Sequence, residues 1–314
     1  MFEIVFLGTS ASAPSLRRGL SAQIIKHNEH RFLIDCGEGT QRQILKSGLG
    51  FKRLNHILIT HGHLDHILGL AGLFSTFSRW ETLERIEIHA GKWALERIDA
   101  LLYGVRVVPK KAASNLDLVM TPLAAGPILE TKDFTITAFP VSHRGPDCFG
   151  FLFEEPDRRP FLPEKAEQLG IPSGPIRRDL ARGKSITLED GSKVEPEEVL
   201  GPPEPGTRMA HIGDTGRTDD ILEYCRGLDA LVIEATYMEE ERKMAKDFAH
   251  LTAGQAAELA REAGVGQLIL THISRRYREK DVLAEAQAIF PNTVVARDFD
   301  NFQVKRGETI KLDK

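Results

Sequence analysis

The sequence predicts an α/β fold, a sheet-rich sandwich carrying one inserted arm. Three features predict it. Strand-length apolar runs alternate with helical patterns along most of the chain. The densest run of chemically active side chains lies where a buried-type strand gives way to a helix. One proline-rich stretch breaks the alternation and reads as an insertion.

The first apolar runs, Ile4 to Leu7 and Phe32 to Ile34, have strand length, and the segment between them contains Gly8, Pro14 and Gly19, so the chain opens like a hairpin. After Asn55, His-Ile-Leu-Ile-Thr reads as a buried strand, and Asp65 to Phe77 has the length and spacing of a helix. Further strands are expected at Arg85 to His89, Phe134 to Val141, Phe149 to Phe153, Arg208 to Ile212, Ala230 to Glu234 and Gln267 to Leu270. Helices are expected at Gly91 to Leu102, Thr252 to Ala263 and Val282 to Ile289. Between Pro156 and Gly206 lie nine of the sixteen prolines and a basic cluster, Arg177, Arg178, Arg182 and Lys184. This segment, 156-206, reads as a flexible arm without a core of its own, inserted between the two parts of one domain, 1-155 and 207-314. Long loops of this kind are either functional or disordered.

Composition narrows the class without naming an activity. The 314 residues are 41% hydrophobic and 27% charged, an ordinary globular balance. No stretch approaches the roughly 18 apolar residues of a membrane span, and the start, Met1-Phe-Glu-Ile-Val-Phe-Leu, has no basic leader, so a cytoplasmic protein without membrane contact is expected. Cys36, Cys148 and Cys225 are isolated and odd in number, which argues against a disulfide framework and against a Cys-x-x-Cys zinc site. The net charge of −4 weighs mildly against a nucleic-acid partner, which would need a local basic patch.

His61-Gly-His63-Leu-Asp65-His66 places three imidazoles and a carboxylate within six residues at a strand exit. Loop backbone can aim His61 and His63 at one point while Asp65 and His66 turn toward another, the division that two ions about 3.5–4 Å apart would need. Imidazole and carboxylate suit Zn²⁺, with Mn²⁺, Fe²⁺ and Co²⁺ as competitors. Later strand ends each offer one further candidate: His143, Asp214 in Gly213-Asp214-Thr215, and His272 in Leu-Thr271-His272-Ile. The remaining histidines, His27, His30, His56, His89 and His211, have no such company and receive no role.

The His61 to His66 pattern resembles that of the metallo-β-lactamase superfamily. That resemblance implies an αββα sandwich with two metals at the edge between its sheets. It further implies His61, His63 and His143 on one Zn²⁺, Asp65, His66 and His272 on the other, and Asp214 bridging. A water shared by two such ions would have its pKa lowered from the bulk value to about 7.

Within that superfamily the chain resembles the ribonuclease Z family nearly end to end. The resemblance rests on Phe6-Leu-Gly-Thr9, Asp35-Cys-Gly-Glu-Gly-Thr-Gln41, Gly213-Asp-Thr215, Glu234-Ala-Thr236, His250-Leu-Thr252 and Thr271-His-Ile-Ser274 with Arg276-Tyr277. In the arm, Ile171-Pro-Ser-Gly-Pro-Ile176 followed by Gly183-Lys-Ser-Ile-Thr-Leu-Glu-Asp-Gly191 looks like that family's exosite. The resemblance implies a zinc-dependent endoribonuclease that removes the 3′ trailer of precursor tRNA by hydroxide attack on the phosphate 3′ to the discriminator. It also implies a homodimer whose arm grips the tRNA elbow. Asp65 would orient or deprotonate the water, and His250 would protonate the leaving 3′ oxygen. The basic cluster Arg177, Arg178, Arg182 and Lys184, with Arg275, Arg276 and Arg278 beside His272, offers phosphate contacts; each cluster can also be read as a solvated face.

The family's loop Pro-x-Lys-x-Arg-Asn, associated with rejecting tRNAs that already bear CCA, is Pro14-Ser-Leu16-Arg-Arg18-Gly19 here. Arg18 keeps the arginine, while the lysine and asparagine are gone. Two other readings compete. A sister phosphodiesterase acting on small esters or cyclic nucleotides would share all seven ligands but need no arm, and a non-catalytic RNA-binding protein would be expected to have lost ligands.

Overall fold

A computed structural model describes residues 1–80, 83–104 and 116–312. The chain forms two compact units: Met1–Glu154 with Thr207–Lys314, and Glu155–Gly206.

The larger unit begins with strands β1 (Phe2–Gly8), β2 (Ala22–His27), β3 (His30–Ile34), β4 (His56–Leu58), β5 (Arg85–Ala90) and β6 (Asp117–Pro122). It continues with β7 (Gly126–Glu130), β8 (Thr135–Pro140) and β9 (Phe149–Glu154). The smaller unit holds β10 (Ile186–Thr187) and β11 (Lys193–Val194). The chain then completes the larger unit with β12 (Arg208–His211), β13 (Ala230–Glu234), β14 (Gln267–Thr271), β15 (Thr293–Val295), β16 (Asn301–Lys305) and β17 (Glu308–Leu312). One sheet has the order β17-β16-β1-β2-β3-β4-β5-β6 and the other β15-β14-β13-β12-β9-β8-β7.

Alternation along each strand explains the layering. Ile4, Phe6, Phe32, Ile34 and Leu58 of the first sheet meet Ile136, Phe151, Phe153, Val232 and Ile269 of the second in a core between the sheets. Their neighbours Val5, Leu7, Leu33, Ile57 and Ile88 face outward against the helices Gly69–Trp80 and Lys92–Gly104. On the far side Leu231, Ile233, Leu268 and Leu270 pack against the helices Ala253–Ala263 and Glu279–Gln287. Strands covered on both faces read as unbroken apolar runs. The result is the αββα sandwich.

The hairpin-like opening differs from expectation. β2 lies between β1 and β3, antiparallel to both, and its Ala-Gln-Ile-Ile-Lys-His sequence was hidden beside the turn-rich segment. The expected helix from Asp65 is two, Leu64–Ile67 and Gly69–Trp80. Gly69 explains the interruption: its N–H donates to the Cys36 carbonyl at 2.8 Å, and a Cβ there would lie 2.0 Å from the Gly37 oxygen. Gly69→Ala must therefore push the helix off the Asp35–Gly37 loop, and we expect about 1–3 kcal/mol of destabilisation in urea unfolding. A wild-type midpoint would remove this account of the break.

The inserted segment is not without a core. Ala166, Ile171, Leu180, Ile186, Val194 and Val199 form a buried apolar cluster with Phe161, Ile176 and Leu188 against it. The helices Pro163–Gln168 and Pro175–Ala181 and the β10–β11 pair supply these residues. They were missed because they occur singly, without a strand or helix period long enough to register. No helix among the described residues is long and apolar enough to cross a membrane.

Candidate metal centre

Four strand ends build the site. β4 leads into His61–His66, β8 into His143, β12 into Asp214 and β14 into His272. The structure brings all seven predicted side chains together in two groups. His61, His63, His143 and Asp214 each offer a ligand atom within 4.8 Å of the others, and so do Asp65, His66 and His272.

Asp214 joins the groups. Its Oδ2 lies 3.7 Å from His61 Nε2, 3.7 Å from His143 Nε2 and 3.5 Å from His66 Nε2, while Oδ1 is 3.3 Å from His272 Nδ1. Asp65 Oδ2 is 3.8 Å from His66 Nε2 and 3.5 Å from His272 Nε2, and it accepts the Ser12 backbone N–H at 3.0 Å. His66 Nε2, His272 Nε2 and Asp214 Oδ1 are buried without a hydrogen-bond partner. Three such atoms in one place are costly unless a cation satisfies them. Neutral imidazole and carboxylate are also the donors a borderline divalent ion prefers, so these residues fit divalent metal.

Electrostatics divide that donor set: burial opposes a charge on His66, but Asp214, Asp35 and Asp65 outweigh it and hold that ring well above its ordinary pKa. Burial, with neighbouring imidazoles, lowers His61 well below its ordinary pKa and takes His63 to about 4, leaving lone pairs available for a metal. Burial opposes the charge of Asp214, but the surrounding histidines outweigh it and hold the carboxyl well below its usual range.

A second layer of groups fixes the rings. The fully buried Asp35 accepts the Thr60 N–H at 2.8 Å, and its Oδ2 lies 2.7 Å from His66 Nδ1. Thr60 Oγ1 meets His61 Nδ1 at 3.0 Å, Thr236 Oγ1 meets His272 Nδ1 at 2.9 Å, and the Ala249 carbonyl accepts from His143 Nδ1 at 2.7 Å. Glu234, also buried, accepts the Thr215 N–H and the His250 Nδ1 proton, both at 2.8 Å. Such partners set which nitrogen faces a metal. Sequence reading passed over Asp35, Glu234 and Thr236 as partners, although all three lie in quoted motifs. Four non-glycine residues at the site, Ser12, Asp35, Ala249 and His272, have φ between 54° and 56°. Left-handed backbone held against its cost is characteristic of functional loops.

The cleft above the site, about 500 Å³, is lined by Ser12, Leu64, Arg97, Arg144, Tyr237, Phe248 and His250 as well as metal-group residues. Burial opposes a charge on His250, but Glu234 and Asp214 raise its pKa to about 9. Arg97 stacks on Trp93 with 5.1 Å to the ring centroid, and Arg144 on Phe248 with 5.4 Å. Neither arginine was singled out from sequence; nothing in their spacing marks them.

The other predicted contacts are placed unevenly. Arg18 is turned inward, donating to Thr9 Oγ1, the Ala296 carbonyl and Glu279, with a side chain only 14% exposed. Three of its five N–H groups are thereby committed within the fold. Arg177 donates to the Ile171 carbonyl, and Arg276 pairs with Glu241. Arg178, Arg182 and Lys184 are exposed.

Residues 2–162 match the family model described as Anti-Pycsar protein Apyc1, and residues 183–273 that of the Beta-lactamase superfamily domain. The crystal structure of human tRNase Z, short form, has a similar fold, with TM-score 0.67 and 24% identity over 96% of this chain and 99% of that one. Fold, site and these matches together define a hydrolase class, that of the metallo-β-lactamase fold. Ribonuclease Z of Bradyrhizobium diazoefficiens is 45% identical over 97% of this chain and 100% of its own length. Ribonuclease Z of a second Bradyrhizobium strain is 46% identical with the same coverage. The chain belongs to the ribonuclease Z family.

Proposed function

We propose that this enzyme removes the 3′ trailer of precursor tRNA, cutting the phosphodiester 3′ to the discriminator and leaving a 3′-hydroxyl on the tRNA and a 5′-phosphate on the trailer. The observation that carries the reading is Asp214, one buried carboxylate set among His61, His66, His143 and His272 at the floor of the cleft. His61, His63 and His143 would hold one Zn²⁺, Asp65, His66 and His272 a second, and Asp214 both; Mn²⁺, Fe²⁺ or Co²⁺ could substitute. Bound there, the ions supply an acidified water and screen the charge of the attacked phosphate.

The chain's own groups do the rest. Asp65, held by the Ser12 N–H, takes a proton from the attacking water. Water attacks phosphorus, the bond to the 3′ oxygen breaks, and His250 delivers a proton to that oxygen. Glu234 occupies His250 Nδ1, so Nε2 is the nitrogen left for the substrate. Arg97 and Arg144 stand at the cleft as cations stiffened by their rings, suited to flanking phosphates.

The exposed Arg178, Arg182 and Lys184 of the smaller unit are proposed to grip the tRNA elbow. Replacing all three by alanine is expected to raise KM with kcat nearly unchanged, and to flatten its dependence on log salt by about one for each phosphate that is no longer neutralised. A KM and salt slope equal to wild type would refute this role. The buried, unbridged cysteines support a reducing, cytoplasmic setting. A homodimer is proposed from the family resemblance, with sedimentation as its measure.

The deciding experiment is cleavage of a tRNA transcript bearing a short 3′ trailer, with product ends mapped and Asp65→Ala as control. Cleavage just after the discriminator, abolished in the variant, is expected. Hydrolysis confined to small phosphodiesters would instead assign the site to a sister phosphodiesterase.

A further inference from the structure

His56 and His89, given no role from sequence, meet in the fold. On the adjacent parallel strands β4 and β5, His56 stands opposite Glu87 and Leu58 opposite His89. Side chains two apart on a strand share a face, so His56, Glu87 and His89 project together. Theirs is the face on which Leu58 and Phe32 join the core between the sheets.

One ligand atom of each residue lies within 4.8 Å of the other two. Glu87 Oε2 is 3.8 Å from His56 Nδ1 and 3.5 Å from His89 Nε2. The first separation is too long for a hydrogen bond and the second is at its outer limit. They are close to the roughly 3.3–3.6 Å that separates atoms bound tetrahedrally at about 2.0–2.2 Å from one zinc-sized ion.

The carboxylate is already divided: Oε1 accepts from Arg85 Nε at 2.9 Å, leaving Oε2 toward the imidazoles. The two rings lie nearly parallel, 26° apart with centroids 6.0 Å distant. The side chains are 27%, 26% and 11% exposed, so an ion can enter and yet be partly desolvated. Burial also holds both imidazoles below their ordinary pKa, which favours the neutral ring with one nitrogen lone pair free.

We propose that His56, Glu87 and His89 form a further metal site, taking one divalent ion of the zinc and copper class with water completing its coordination. Two imidazoles and one carboxylate are the donors such ions select, whereas magnesium and calcium prefer all-oxygen sites. His56 lies five residues before His61, roughly 16 Å along an extended chain at about 3.3 Å per residue, so the ion is distinct from those of the cleft. It would tie β4 to β5 at the start of the strand that delivers the His61–His66 loop.

The test uses the full chain loaded with zinc and freed of excess, then titrated with Cu²⁺ while bound metals are counted and electron paramagnetic resonance is recorded. One additional ion per chain is expected, with coupling to two imidazole nitrogens. Its affinity should fall at least roughly 10–100-fold in His56→Gln and in His89→Gln, since removing even a supporting partner of a ligand costs that much. Asp65→Asn should keep the additional ion, and the two histidine variants should keep cleavage of precursor tRNA. Glu87→Gln, isosteric and leaving both rings in place, repeats the test if a histidine variant folds poorly. The proposal is overturned if wild type binds no additional ion. It is equally overturned if the ion persists unchanged in the His56, Glu87 and His89 variants, or is lost only in Asp65→Asn.

Discussion

On the proposed two-ion reading, Asp214→Ala is expected to empty the cleft of metal and to lower precursor-tRNA cleavage by roughly four orders of magnitude or more, the scale seen when one member of an interdependent catalytic set is lost. Among the described residues, Asp214 is the carboxylate that lies near histidines of both groups. Its Oδ2 lies within 3.7 Å of nitrogens from His61, His143 and His66, and its Oδ1 within 3.3 Å of His272. The variant loses the negative charge that stands between the two groups and leaves His61, His66, His143, His250 and His272 around a small void. His143→Ala, by contrast, removes a donor from one group only, so it should lower metal content by less. Because the groups act as a unit, the double variant Asp214→Ala/Asp65→Ala should be little worse than Asp214→Ala alone. Metal per chain by mass spectrometry and single-turnover cleavage measure both effects. Wild-type metal content in Asp214→Ala would exclude it as the shared ligand.

Much of this centre was legible in the sequence for a physical reason. Metal ligands need particular side chains, and an α/β sandwich presents them at strand ends, so a short apolar run followed by histidine or aspartate is informative. His61, His63, Asp65, His66, His143, Asp214 and His272 all follow such runs. What supports them was not legible as support. Asp35 meets His66 across 31 residues, and Glu234 meets His250 across 16, in pairings that exist only once the strands are aligned. The His56, Glu87 and His89 group has the same origin, the β4–β5 register. Arg18 shows a different gap: its sequence position does not reveal that Thr9, Ala296 and Glu279 hold it to the fold. At the C-terminal edge, β17 reads Glu-Thr-Ile-Lys-Leu, too short and mixed to announce a strand. The inserted unit hid its core because each buried residue stands alone among prolines, glycines and charges.

His250→Ala is expected to lower kcat by about 10²–10⁴, the usual worth of a positioned general acid, while leaving KM and metal content close to wild type. Three features single out this histidine. It lines the cleft, it lies beside Asp214 and His272, and its Nδ1 is committed to Glu234 at 2.8 Å rather than open to an ion. Glu234→Gln separates the acid from its support. The buried Glu234 carboxylate receives four donors, the Thr215 N–H, the His250 ring, the Thr236 N–H and the Thr236 hydroxyl. An amide of the same shape turns one acceptor oxygen into a donor nitrogen that faces a donor, so one of these bonds must become repulsive. If the damage falls at His250, kcat drops with metal content intact, and adding His250→Ala costs little more. If it falls at Thr236, His272 loses its orienting hydroxyl and metal content drops as well. A substrate with a better leaving group at the scissile 3′ oxygen supplies the final test. It should restore much of the rate to His250→Ala and none to Asp214→Ala, because only the former lacks a proton for the departing oxygen. Equal failure of both variants on that substrate would remove His250 from the role of acid.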